Sequence, residues 1–337
     1  MIKIPLKFLI IRFSSIGDIV LTTPVMRSIH KAYPEAEIHY LTKASYRNLI
    51  NNNPYIFKLH LYKNDLRNII NKLKKEKFDY VIDLHHNLRT WVVKRSLGVK
   101  SFSFNKLNNE KWLMVNFKIN RLPPVHIVDR YMESVESLNV VNDGQGLDFF
   151  INVVDEVDIL KLPPVFAQGY IAFVLSGTFF TKRLPNHKVI SICKKIDKPV
   201  ILLGGASEVE NAKKIIKETG TSKVYNAVNK YGIAQSASLI KQADVVITND
   251  TGMMHIAAAF NKKIVSVWGN TIPEFGMTPY FGNTVISNTN SIIVEVKGLS
   301  CRPCSKLGYN ECPKKHFKCM NEIDEGEIIA ALETKDK

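Results

Sequence analysis

Short, almost unbroken apolar runs alternate with longer amphipathic stretches along most of this chain. The runs Leu6–Arg12, Glu37–Leu41, Lys58–Tyr62 and Asp79–Leu84 predict strands in the first half. Tyr170–Leu175, Pro199–Gly204, Lys223–Asn226, Asp244–Thr248 and Lys263–Trp268 predict strands in the second. Between them, apolar positions recurring every three to four residues predict helices at Ile16–Tyr33, Asn64–Lys77, Ile127–Leu138, Asn186–Lys195, Glu208–Glu218 and Ile233–Gln242, with one more near Glu325–Leu332. Strands alternating with helices in this way imply parallel βαβ units. Runs that are apolar throughout suit a sheet covered on both faces.

At 337 residues the chain has room for about two domains. The alternation breaks from Asn142 to Gln168, where NDGQG and LPPVFAQG enclose a run with several acids. Residues 1–155 are therefore read as one Rossmann-like domain, 165–322 as a second, and 323–337 as a closing helix and tail. The expected fold class is α/β: two doubly wound domains facing each other across a cleft, with the loops at the carboxyl ends of the strands lining it.

Three loops carry candidate chemistry. In ADVVITNDTGMMHIAAA (Ala243–Ala259) a strand runs into Asn-Asp-Thr-Gly and a helix begins near Met253. The free N–H groups of a first helical turn carry partial positive charge and bind phosphate. Gly252 permits a close backbone approach; Thr251 stands beside it, Asp250 suits sugar hydroxyls and His255 suits phosphate. Without a ligand, the same stretch is an ordinary strand–helix turn with an Asp N-cap. In KFLIIRFSSIGDIVLTTP (Lys7–Pro24) a strand meets Ser14-Ser15-Ile16-Gly17-Asp18 and then a helix. In YIAFVLSGTFFTKRLP (Tyr170–Pro185) a strand leads into Ser-Gly-Thr, with Thr178, and then into Thr181-Lys182-Arg183-Leu184-Pro185.

These three pieces, in this order and at these separations, resemble glycosyltransferase family 9, the ADP-heptose:lipopolysaccharide heptosyltransferases, from about Phe8 to Ile323. The resemblance implies a GT-B architecture with an acceptor-binding first domain and a nucleotide-sugar-binding second one. It also implies an inverting, metal-independent transfer of heptose from ADP-heptose to an inner-core lipopolysaccharide; no DxD-type metal motif is present. Asp18, at the family's SSxGD position, is the candidate base, with Ser14, Ser15 and Gly17 shaping its loop. Lys182 is the candidate for charge on the departing diphosphate, since fixed charge aimed at developing charge is a large catalytic effect; Arg183 can share the role. Glu208 matches an acid that binds donor ribose hydroxyls, and Thr178, Thr181, Asp250, Thr251, Gly252 and His255 complete the donor site. Arg89, in DLHHNLR, matches a basic position that meets an acceptor carboxylate or phosphate. Leu184 departs from the pattern, standing where an aromatic is often found. Each residue also has a plainer reading: Asp18 and Glu208 as helix-terminal acids, Lys182 and Arg183 as a surface pair, His85 and His86 as structural imidazoles.

Net charge is +15, and Lys58–Arg121 holds fifteen Lys or Arg against five acids. That asymmetry suggests an anionic partner, here a phosphorylated glycolipid and the inner membrane surface; the plainer reading is a solvated, Lys-rich helix over Asn64–Lys77 whose charge serves solubility alone. A basic, non-catalytic nucleic-acid-binding Rossmann protein is the rival of a different class, and nucleic acid is not the expected partner. A transferase using another nucleotide-sugar or acceptor is the nearer rival. A nicotinamide-dependent oxidoreductase is disfavoured because no GxGxxG follows the first strand. No apolar run reaches the roughly 18 residues of a membrane span, and the apolar start reads as a strand and not a signal peptide; a cytoplasmic location, peripheral on the membrane face, is expected. Four of the five cysteines cluster as Cys301-x2-Cys304-x7-Cys312-x6-Cys319. Structural zinc, free or redox-sensitive thiols and disulfides all remain open for them, with spacers shorter than in a zinc ribbon.

Overall fold

The computed structural model describes residues 5–220, 222–283 and 290–333; the last four residues of the expected tail lie outside them. The chain forms two compact units, Met1–Lys106 with Val125–Phe150, and Leu107–Pro124 with Ile151–Lys337.

The first unit is built on five parallel strands, β1 (Lys7–Ile11), β2 (Glu37–Lys43), β3 (Lys58–Tyr62), β4 (Tyr80–Asp83) and β5 (Lys100–Ser103), in the order β3-β2-β1-β4-β5. Its helices are α1 (Ile16–Val20), α2 (Thr23–Ala32), α3 (Leu66–Lys74) and α4 (Leu88–Leu97); α5 (Asn108–Phe117) belongs to the second unit, and α6 (Ile127–Glu133) returns to the first. Phe8, Leu9, Ile10 and Ile11 are all fully buried, so β1 is covered on both faces as its apolar run predicts. The helix expected over Ile16–Tyr33 is two helices. Pro24 has no N–H for the carbonyl of Val20, and the hydroxyl of Thr23 donates to that oxygen instead (2.8 Å). α4 was hidden because Leu88 and Trp91 are exposed while Thr90 and Val93 are buried, which blurs the helical period. Its ends are nonetheless written locally: Asn87 and Thr90 cap each other (3.1 and 2.9 Å), and Gly98 ends the helix at φ +68°. Beyond α6, buried Arg27 of α2 fixes the segment 143–148 through Asp143 (2.8 Å), Asp148 and the Gly146 carbonyl (2.8 Å).

The second unit has six parallel strands, β6 (Ile171–Val174), β7 (Val200–Leu203), β8 (Val224–Asn226), β9 (Val245–Asn249), β10 (Lys263–Trp268) and β11 (Ser291–Glu295), ordered β11-β10-β9-β6-β7-β8. Helices α7 (Asn186–Lys195), α8 (Val209–Thr219), α9 (Ile233–Gln242), α10 (Gly252–Ala259), α11 (Lys318–Asn321) and α12 (Glu325–Glu333) cover it. Its core joins Ile171, Phe173, Ile247, Val265 and Val267 to Ile192, Ile215 and Ile328 of the helices. Each such side chain contributes about 1.5–3 kcal/mol on burial.

In both sheets the chain winds outward in opposite directions from one central pair: β1 and β4 in the first unit, β6 and β9 in the second. That reversal opens a crevice at the carboxyl ends of the pair, the place where open α/β sheets bind ligands. The loops singled out from the sequence leave these ends: Arg12–Asp18 and His85–Arg89 in one unit, Ser176–Arg183 and Asp250–His255 in the other. Among the described residues, no helix is long and apolar enough to cross a membrane.

Candidate active site

In the first unit, the Asp18 carboxylate is fully engaged. Its Oδ2 accepts from the backbone N–H (3.1 Å) and hydroxyl (2.7 Å) of Ser15, and its Oδ1 meets Arg12 Nη2 at 2.6 Å. Arg12 was not singled out from the sequence, although an arginine closing an apolar strand is a visible signal. It is buried and also donates to the carbonyls of Ser14 (2.7 Å) and Leu84 (2.5 Å) and to the Tyr131 hydroxyl (3.1 Å). Burial favours the neutral form of Asp18, but the Arg12 charge and the Ser15 hydrogen bonds outweigh it and hold the carboxyl below its ordinary range. Asp18 is therefore ionised at neutral pH, though Arg12 weakens it as a base. Gly17 is buried within α1, Ser14 is half-buried and Ser15 exposed.

Across the switch point, the buried Asp83 carboxylate accepts from the backbone N–H groups of His85 (3.1 Å) and His86 (2.7 Å) and meets Lys94 at 3.0 Å. His86 Nδ1 lies 3.1 Å from the Phe104 carbonyl, which fits the structural reading of that ring. His85 packs edge-on against Phe13 (5.5 Å), with its Nδ1 buried and without a hydrogen-bond partner among the described residues. Burial, with the charges of Arg12 and Lys106, pushes His85 down to about 4. Arg89 is exposed on the first turn of α4.

In the second unit, Lys182 and Asp250 come together from the loops after β6 and β9, Nζ to Oδ2 at 2.5 Å, and Thr271 donates to the same oxygen (2.7 Å). Arg183 meets Glu208 at 3.3 Å and donates to the Gly177 carbonyl (2.7 Å). Glu208, buried, accepts from the Gly205 N–H (2.9 Å) and the Ser207 hydroxyl (2.6 Å), so its carboxylate also braces its own turn. Thr178 is exposed, while Thr181 is buried and exchanges hydrogen bonds with the backbone of Tyr309 (3.1 and 2.8 Å). Thr251 is the N-cap of α10, its hydroxyl accepting from Met253 N–H (3.2 Å); Gly252 opens the helix and His255 is buried in it. Asn249, also missed in the sequence, donates to the carbonyls of Val174, Leu175 and Ser176 and accepts from Leu184 N–H (3.0 Å). It clasps both ends of the Lys182 loop.

The cysteine-bearing segment supports the same loops. Cys304 N–H donates to the Asn270 carbonyl (3.3 Å), and the Tyr309 backbone holds Thr181. The cysteines are neighbours: burial raises Cys304 to about 11 and Cys319 to about 12, and the other cysteines of the cluster add to both shifts. His316, not foreseen, places Nε2 3.9 Å from Cys301 Sγ. This soft donor set suits zinc, yet among the described residues the sulfurs do not draw three donor atoms within 4.8 Å of one another. Cys193 is a core thiol of α7, pushed to about 12 by burial.

Two parallel α/β units of this order, each with charged loops at its switch point, form the GT-B architecture of glycosyltransferases. A solved glycosyltransferase family 9 protein from Veillonella parvula has this fold with a TM-score of 0.74, 21% identity and 98% of each chain covered. The E. coli heptosyltransferase WaaC, solved with ADP and with ADP-2-deoxy-2-fluoro heptose, gives a TM-score of 0.68 at 18% and 17% identity, covering 97% of this chain and 99% of that one. In sequence, lipopolysaccharide heptosyltransferase 1 of Campylobacter coli is 27% identical over 96% of this chain and 97% of that protein. The model of glycosyltransferase family 9 (heptosyltransferase) matches residues 66–308, more than half of the chain. The chain belongs to that family and is a glycosyl-transferring enzyme.

Proposed function

We propose that the enzyme transfers heptose from ADP-heptose to an inner-core lipopolysaccharide acceptor with inversion. The observation that carries this reading is the Lys182–Asp250 pair beside the N-terminus of α10. An arriving diphosphate takes over the Lys182 ammonium, and the Asp250 carboxylate so released turns to sugar hydroxyls. Asp18 accepts the proton of the acceptor hydroxyl as its oxygen attacks the anomeric carbon from the face opposite the diphosphate. The bond to ADP breaks, and its new charge meets Lys182 and the positive end of the α10 dipole. Thr178, Arg183, Glu208, Thr251 and His255 are the remaining donor contacts in this scheme; Ser14, Ser15 and Arg89 are those of the acceptor.

No metal takes part in the transfer. Cys301, Cys304, Cys312 and Cys319 are read as a structural site that draws together on zinc, and the metal content of the purified protein tests this. We place the enzyme in the cytoplasm, at the membrane surface. Exposed Leu88 and Trp91 beside Arg89 and Arg95 on α4, and exposed Trp112, Phe117 and Ile119 near Lys118 and Arg121, support contact with anionic lipid.

A thermal-shift panel with ADP, UDP, GDP and CDP tests the donor. A ligand at 100 times its Kd adds about 2.7 kcal/mol. Stabilisation by ADP above the others, lost in Lys182→Ala, is the expected result, followed by turnover of ADP-heptose. A larger shift with another nucleotide overturns the donor assignment.

A further inference from the structure

Apart from the transfer chemistry, the sheet of the first unit gathers His39 of β2, His60 of the edge strand β3 and Glu76 from the turn after α3. One donor atom from each lies within 4.8 Å of the others, and among the described residues this is the one group of His, Cys, Asp and Glu side chains at that spacing. His39 is fully buried and His60 nearly so. His39 Nδ1 and His60 Nε2 are 2.9 Å apart, and the two rings stack 5.2 Å apart at 15°. Phe78 lies edge-on to both rings and Phe57 packs on His39, which walls the site with apolar surface. A second carboxylate is at hand: Glu37 Oε2 is 3.5 Å from His39 Nε2.

We propose that His39, His60 and Glu76 bind one divalent transition-metal ion of the zinc class, with Glu37 as an outer partner on the far nitrogen of His39. Two imidazoles and a carboxylate are a ligand set that such ions favour over magnesium or calcium. A tetrahedral ion with metal–nitrogen bonds of about 2.0–2.1 Å holds two ligand nitrogens about 3.3 Å apart, so the histidine pair exchanges its mutual hydrogen bond for the ion and opens by a few tenths of an ångström. Lys58 engages Glu76 Oε1 (2.7 Å) and Lys7 engages Glu37 Oε2 (2.8 Å). Metal-bound carboxylates are themselves commonly hydrogen-bonded, and Lys58 can serve Glu76 as such an outer partner. The ion clasps edge strand β3 and the turn after α3 to β2; it has no part in the sugar transfer.

The test is a Co(II) titration of the full-length, chelator-treated chain, read by visible absorption, with Zn(II)-dependent thermal stability beside it. The expected result is one equivalent bound through nitrogen and oxygen, with no thiolate charge transfer of its own; near-ultraviolet thiolate bands report a separate equivalent at the cysteine cluster. The nitrogen–oxygen equivalent persists when Cys301 and Cys304 are changed to serine, and Glu76→Gln weakens it at least about tenfold. Zn(II) raises the Tm of that double-serine protein and not of the same protein carrying Glu76→Gln. His60→Gln abolishes the cobalt signal; because His60 is buried, Glu76→Gln is the deciding variant. Equal cobalt binding with and without Glu76, cobalt bound through thiolates alone, or no binding overturns the proposal.

Discussion

Asn249 concentrates the support of the donor loop in one buried amide. It ends β9, 2% exposed. Its Nδ2 faces the carbonyls of Val174, Leu175 and Ser176 at 3.4, 3.3 and 3.1 Å, and its Oδ1 takes the Leu184 N–H at 3.0 Å. In Asn249→Ala the Leu184 N–H is left buried without an acceptor, at about 1–3 kcal/mol, and the three shared carbonyl contacts together amount to about one further hydrogen bond, ~1 kcal/mol. The loss is about 3 kcal/mol, or a Tm lowered by about 6–12 °C for a unit of this size. Lys182 and Arg183, held between those two anchors, lose their placement, so ADP binding weakens as well. Asn249→Asp separates shape from hydrogen bonding. Its carboxylate would face three carbonyl oxygens with no water to screen them, so its folded pKa rises above the unfolded value. For an acid raised in this way, the destabilisation grows as pH rises and fades as pH falls, because the protonated carboxyl donates as the amide does. Calorimetry at pH 5 and pH 8 with ADP titration reads both effects. Asn249→Ala within about 0.5 kcal/mol of the parent with unchanged ADP affinity, or Asn249→Asp equally stable at both pH values, would refute the clasp.

Lys182→Ala should lower kcat about 10²–10³-fold and weaken ADP, the scale of losing one group aimed at developing charge; an unchanged kcat removes Lys182 from the mechanism. Asp18→Asn should cut turnover at least about 10²-fold with ADP affinity intact. Arg12→Met should move the acid limb of kcat/KM upward, since it removes the charge that keeps Asp18 low; a limb that stays put separates that limb from Asp18. The first unit should lose stability as pH falls from about 6.5 to about 4, because unfolded His85 takes a proton that the folded site refuses. His85 accounts for at most about 3 kcal/mol of that loss, buried His60 adds its own share, and His85→Gln should make the acid side of a Tm-against-pH curve shallower. Gly269→Ala should destabilise by about 1–3 kcal/mol, because a Cβ there would lie 2.5 Å from the Thr181 carbonyl and 2.7 Å from Met320 Cε; a thermal melt within 1 °C of the parent contradicts this packing.

The central strands were legible because each is an apolar run bounded by polar or small residues: β1, β2, β3 and β10 begin or end within two residues of the expectation. β5 and β11 were not legible. KSFS is too short and polar to stand out, and both strands close the edge of a sheet, where pairing on one side suffices without a strong apolar signal. The SSIGD, TKRLP and NDTG loops were readable as loops with charge, and the pairing of Lys182 with Asp250 and of Arg183 with Glu208 was not, because the partners lie dozens of residues apart.

The chain's local chemistry determined which segments are strands, where helices start, and that Asp18, Lys182 and the NDTG turn stand at strand ends. Tertiary structure alone decided that Lys182 meets Asp250, that Asn249 holds the donor loop, and that His39, His60 and Glu76 meet. The physical reason is range. Apolar periodicity and capping act over a few residues and are written where they act. Ion pairs, buried amides and metal-ligand sets depend on which strands become neighbours, and parallel sheets bring distant segments together through crossovers that no local window contains.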